Sequence, residues 1–121
     1  MTQAITSFGL VNYQAVMDLA DSLNIDRDRV RAILGISESS QFRYEKNNRV
    51  LKPNLYDRWS RLIRTVELAE DVLEDLAEVK RWLSTPKSAL DDRCPLDLLT
   101  TDGGTRQVEQ ILLQASYGVF A

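Results

Sequence analysis

Seven apolar residues, Leu55, Trp59, Leu62, Val66, Ala69, Leu73 and Leu76, follow one another at intervals of 4, 3, 4, 3, 4 and 3. An α-helix gathers residues three and four apart into a single stripe, whereas a strand gathers every second residue, so this run is committed to helix. Pro53 opens it. Ser84-Thr85-Pro86 closes it, because a residue before proline is pushed out of the helical region. The pattern therefore predicts one long helix reaching Trp82-Leu83. Its stripe is a core face or a dimer interface, not a cofactor site.

The residues on either side of this helix also carry helical periods and almost no strand signal. Val16, Leu19, Ala20 and Leu23 form an amphipathic stripe that ends near Asn24. Asp26 is a suitable N-cap for a second helix, with Val30, Ile33 and Leu34 on its inner side. Gly35 stops that helix, since glycine takes positive φ without penalty. Ser37 caps a third helix that has Glu38 in its first turn and runs to Lys46, where Asn47-Asn48 supplies a left-handed end. Phe42 and Tyr44 are two apart and cannot share a face. At least one projects outward, to pack on sugar–phosphate or to stand as an exposed ring.

Charge divides the chain more sharply than its total suggests. The net charge is −3 and the isoelectric point about 4.9, which by itself argues against nucleic acid. Residues 27–64 nevertheless hold ten bases against four acids, while residues 65–121 hold five bases against eleven acids. Two short helices joined by a glycine-containing turn, the second polar and basic, describe a helix-turn-helix in the positive segment. Ser39, Ser40, Gln41 and Arg43 have the donors and acceptors to reach base edges. Lys46, Arg49 and Lys52 are placed to neutralise phosphates.

In the acidic segment, Pro95 opens a short helix over Leu96, Leu98 and Leu99. Thr101 caps a final helix, with Asp102 set against its dipole and Val108, Ile111, Leu112 and Ala115 along one side. Gly118 breaks it, leaving Val119-Phe120-Ala121 as an apolar tail. Such a tail docks on its own core or into a partner, and the residues alone leave both open.

Chemistry is constrained by what is missing. With no histidine and only Cys94, there is no imidazole base, no His-containing or thiolate-cluster metal site and no internal disulfide. Carboxylate pairs such as Asp91-Asp92 and Glu74-Asp75 sit in a linker and on a helix face, where charge runs are solvated. No catalytic residue, metal or cofactor is expected. A lone thiol, no span-length apolar run and a start without a basic signal region point to a cytoplasmic protein with no membrane partner.

Several words in this sequence resemble the Xre/MbcA/ParS antitoxins. Arg81-Trp82-Leu83-Ser84-Thr85-Pro86, then Ala89-Leu90, then Pro95-Leu96-Asp97-Leu98-Leu99 look like their toxin-binding domain, as do Thr101, Gly104, Val108-Glu109, Leu112 and Tyr117 to Ala121. Leu19, Leu34 to Ser37 and Arg49-Val50-Leu51 resemble the Xre-type helix-turn-helix. Three places depart from the family. Asp91-Asp92-Arg93-Cys94 replaces a link that usually contains glycine, Asn47-Asn48 stands where glycine is common, and Gln41 stands where an apolar residue is common.

The resemblance implies an all-α chain: a helix-turn-helix domain over residues 1–64, joined by a long helix to a toxin-binding domain over residues 65–121. It implies a homodimer that pairs with a RES-domain toxin consuming NAD, or transferring ADP-ribose from it, and that represses its own operon by binding operator DNA. Trp82, Tyr117, Gly118, Val119, Phe120 and Ala121 would then contact the toxin, with the tail in its active-site cleft. An acidic partner suits a cleft built for a phosphorylated dinucleotide. The alternative is a stand-alone helix-turn-helix regulator without a toxin.

Overall fold

A computed structural model describes residues 11–117. They form seven α-helices: α1 (Tyr13–Ser22), α2 (Arg27–Leu34), α3 (Glu38–Asn47), α4 (Pro53–Leu73), α5 (Leu76–Ser84), α6 (Pro95–Leu98) and α7 (Asp102–Ser116). A single 3₁₀ turn, Ser88–Leu90, precedes α6. The all-α expectation holds. The chain divides into two compact units, and the division falls inside α4, between Trp59 and Ser60.

Local chemistry sets most helix ends. The side chains of Asp26, Ser37 and Thr101 accept from the N–H groups of Arg29, Ser40 and Gly104, each three residues on. These bonds satisfy amide groups that a helix start otherwise leaves unpaired. Gly35 ends α2 at φ +69°, and Asn48 ends α3 at φ +46°, both left-handed. Asp91 and Asp92 turn the link after the 3₁₀ turn at φ +57° and +62°. Where the resembling family favours glycine, this chain thus uses short polar residues that tolerate the same region.

The first unit closes on α1, α2 and α3 with the start of α4. Val16, Ala20, Leu23, Val30, Ile33, Leu34, Leu55 and Trp59 are buried there. The rings of Tyr13 and Tyr44 lie 5.7 Å apart where α1 meets α3. Residues 11–13 pair briefly with residues 49–51, through Tyr13 N–H to Arg49 O and Leu51 N–H to Val11 O, both 2.8 Å.

The second unit stacks α6 between α5 and α7, burying Val79, Leu83, Leu96, Leu99, Val108 and Leu112 beside Leu62, Val66 and Ala69 of α4. Gly104 fixes one contact in this stack. A Cβ added there would lie 2.1 Å from the carbonyl oxygen of Leu98. Only a residue without a side chain lets the start of α7 approach the end of α6 so closely.

The helix expected to reach Leu83 is two helices. α4 ends at Leu73, Glu74 adopts φ +61°, and the Asp75 side chain accepts from the N–H of Ala77 to start α5. An aspartate competes for backbone N–H groups and so favours a new N-cap over a helix interior. Leu76, the last residue of the seven-member stripe, is accordingly 44% exposed.

Candidate functional site

Burial fixes which way α3 faces. Gln41 and Tyr44 point into the first unit, so Ser39, Arg43 and Lys46, at i, i+4 and i+7, lie together on the outer side. Arg49 and Lys52 are also exposed, in the segment that follows α3. Ser40 is half-buried, and its hydroxyl accepts from Ser37 Oγ at 3.1 Å and from Arg43 Nη2 at 3.3 Å.

Gln41 does not belong to that outer set. It is fully buried, its Nε2 donates to Tyr13 OH at 3.0 Å and to Arg27 O at 2.9 Å, and its Oε1 accepts from Arg31 Nη1 at 3.1 Å. Both amide donors and the carbonyl are engaged inside the protein, so no group is left to read a base edge. The expectation that Gln41 contacts DNA is corrected: it is the polar pin that holds α3 on α1 and α2. Burial drives the Tyr13 hydroxyl above its ordinary range, partly offset by this bond from Gln41.

Several of the ten bases counted in residues 27–64 are also committed internally. Arg27 makes a bidentate pair with Glu45, at 2.7 and 3.0 Å, and that bond holds its guanidinium further into the protonated range. Arg31 pairs with Asp28 at 3.0 Å. Arg58 donates to Leu34 O at 2.8 Å, capping the end of α2, and its Nη1 would lie 2.7 Å from any Cβ at position 35. The glycine in the turn therefore serves two needs, a left-handed backbone and room for Arg58. Spacing along the sequence gives no sign of the Arg27 and Arg58 ties, whose partners lie 18 and 24 positions away on other helices, whereas Asp28 and Arg31 stand three apart on α2.

Phe42 answers the question that it and Tyr44 raised. Tyr44 is the buried ring, and Phe42 is 59% exposed. It lines a shallow hollow with Arg27, Glu38, Ser39 and Arg43.

In the second unit, Trp82 is half-buried on α5, with Lys87 Nζ 4.9 Å above its ring. Burial lowers the Lys87 ammonium below its usual range. Tyr117 ends α7, its N–H donating to the carbonyls of Leu113 and Gln114, and its side chain is 78% exposed. Leu113, one turn earlier on the same side, is 44% exposed. Tyr117 thus does not complete the core of its own unit. The expected contacts Gly118, Val119, Phe120 and Ala121 lie outside the described residues.

Among the described residues, no group of three or more acids and cysteines is placed to hold a metal ion. No helix among them is long and apolar enough to cross a membrane.

Comparison with known proteins matches these two faces to two domains. Residues 11–64 match the antitoxin Xre-like helix-turn-helix domain, and residues 68–118 match the antitoxin Xre/MbcA/ParS C-terminal toxin-binding domain. An antitoxin Xre of Pseudomonas putida is 40% identical over 70 residues, which cover 55% of this chain and 44% of that protein. The chain therefore matches less than half the length of that relative. An antitoxin Xre of Yersinia enterocolitica is 27% identical over 110 residues, covering 87% of this chain and 74% of that protein. A chain in the crystal structure of the M. tuberculosis MbcT-MbcA toxin-antitoxin complex shares the fold. Its TM-score is 0.62 at 24% identity, covering 88% of this chain and 94% of that one.

Proposed function

The chain belongs to the Xre/MbcA/ParS antitoxin family, and from that premise we propose that it neutralises a cognate RES-domain, NAD-consuming toxin and represses its own operon through DNA. The observation that carries the reading is the order of the two matched domains along one chain, helix-turn-helix first and toxin-binding domain second. The exposed Tyr117 at the end of α7 supports it, because an aromatic residue outside its own core is a natural anchor for a partner pocket. In this reading Trp82 and residues 117–121 contact the toxin, and the protein acts as an inhibitor rather than an enzyme.

The DNA half of the proposal uses Ser39, Ser40 and Arg43 near the start of α3 for base edges, with Lys46, Arg49 and Lys52 on phosphates. A homodimer would read two half-sites. Co-expression with a candidate cognate RES-domain toxin, sought among the genes beside this one, tests the first half. The full chain is expected to co-purify with the toxin, and a chain ending at Ser116 to lose it while keeping its melting temperature. Retention by the shortened chain would contradict the tail contact. For DNA, Arg43→Ala is expected to weaken preferred duplexes selectively. Lys52→Ala is expected to lower the slope of log affinity against log salt by about one, with sequence preference intact. Equal losses on every duplex from both substitutions would contradict that division.

The alternative, a stand-alone regulator, would bind DNA and no toxin.

A further inference from the structure

The rotation of α3 leaves its outer side short of hydrogen-bonding groups. Gln41 is consumed in the core, the Ser40 hydroxyl accepts from Ser37 and Arg43 and keeps only its donor, and the guanidinium of Arg27 is held by Glu45. What remains outward near the start of the helix is Glu38, Ser39, Phe42 and Arg43, and Phe42 is the one apolar side chain of these four, 59% exposed.

A phenyl ring in that position offers no donor or acceptor. Among the groups on the floor of the major groove, one is apolar, the C5-methyl of thymine. The ring stands in the first half of α3, where a recognition helix meets base edges, with the exposed cations Arg43 and Lys46 on the same side. Arg43 in the hollow and Lys46 beside it outweigh the single Glu38 carboxylate, a balance that favours a polyanion over an apolar protein surface as the occupant.

We propose that Phe42 is a specificity-determining residue that reads a thymine in each half-site by packing against its methyl group. This rests on the DNA-binding reading above and adds to it the base that α3 prefers. Ser39 and Arg43 flank the contact, and Lys46 secures the adjoining backbone without selecting sequence.

The test replaces a methyl and nothing else. Duplexes selected from a random pool by the full chain supply the probe, and each thymine of their shared site is changed in turn to uracil, which keeps the hydrogen-bonding edge. Wild type is expected to lose about four-fold in affinity at one position per half-site, the worth of one buried methyl group. Phe42→Ala is expected to bind the thymine and uracil duplexes equally, with an unchanged salt slope. Phe42→Leu keeps apolar surface and should retain part of the discrimination, which guards against an alanine variant that fails to fold. Indifference of wild type to every replacement, or undiminished discrimination by Phe42→Ala, would overturn the proposal while leaving DNA binding intact. A full chain that selects no duplex would overturn the DNA-binding reading and this inference with it.

Discussion

The two units of this chain are held by different kinds of contact. In the first, a buried glutamine satisfies three partners on two other helices, and a bidentate arginine–glutamate pair ties α2 to α3. In the second, apolar side chains and a backbone-to-backbone approach at Gly104 carry the packing, while ion pairs such as Arg81 with Glu78 and Arg106 with Asp102 stay within single helices. Apolar contact is non-directional, so it holds a helix near a surface without fixing its rotation sharply. Hydrogen bonds are directional, and a buried amide is satisfied in one orientation. A helix whose outer residues must meet particular bases gains from the second kind of constraint. A platform for another protein needs shape more than angle.

The strongest way to break this contrast is Gly104→Ala. A methyl 2.1 Å from a backbone oxygen forces α6 and α7 apart, and no flexible side chain can yield there. The expected loss is about 3 kcal/mol or more, at the upper end of overpacking costs. The chain has two tryptophans, Trp59 in the first unit and Trp82 in the second. Unfolding followed in a Trp59→Phe background reports the second unit, and in a Trp82→Phe background the first. The destabilisation should appear on the Trp82 signal. Its appearance on the Trp59 signal alone would contradict the assignment.

Gln41→Leu comes next. It keeps volume and apolar packing but leaves Tyr13 OH, Arg27 O and an Arg31 nitrogen without their amide partner. A loss of about 2 kcal/mol is expected, read on Trp59, because stranded buried polar groups lose their solvation unrepaid. A neutral or stabilising outcome would show that apolar packing alone holds α3, and the contrast between the units would fall.

Alkaline titration sharpens the same point. The Tyr13 pKa is raised in the folded state above its ordinary 10.0. Below about 10 the hydroxyl is neutral in both states and its contribution is fully present. As pH climbs from there through the folded value, the unfolded chain ionises first and stability drains away. Tyr13→Phe should therefore flatten the alkaline decline of chemical-denaturation midpoints. An identical decline in the variant would remove Tyr13 from the account.

The smallest effect is expected at Gly103→Ala. A Cβ there meets nothing within 4 Å, so the substitution should stabilise by about 0.5 kcal/mol through reduced freedom of the unfolded chain. One residue thus separates opposite signs, and calorimetric melting of the two glycine variants side by side would show it.

Much of this was legible in the sequence because it is local. Asp26, Ser37 and Thr101 cap helices through bonds that span three residues, and the left-handed ends at Gly35 and Asn48 follow from residue type. Gln41 was not, since its partners Tyr13 and Arg27 lie 28 and 14 positions away. A signal for it existed: the resembling family commonly has an apolar residue there, and that favours burial over the polar character of the side chain. The break at Glu74-Asp75 was masked by a stripe whose spacing continues to Leu76 after the backbone has turned. Counting charges overstated the cationic face, because the sum does not distinguish Lys46, exposed on α3, from Arg27, bound to Glu45. The tyrosine left outside the core could only be settled by packing.

The proposed silencing of a toxin by residues 65–121 is read most directly in cellular NAD. A candidate cognate RES-domain toxin would be expressed with the full chain or with the form ending at Ser116, and NAD measured through induction. NAD held at its uninduced level by the full chain and depleted with the shortened one is the predicted result. NAD equally preserved by both would contradict a blocking tail, and NAD depleted with both would contradict the antitoxin function itself.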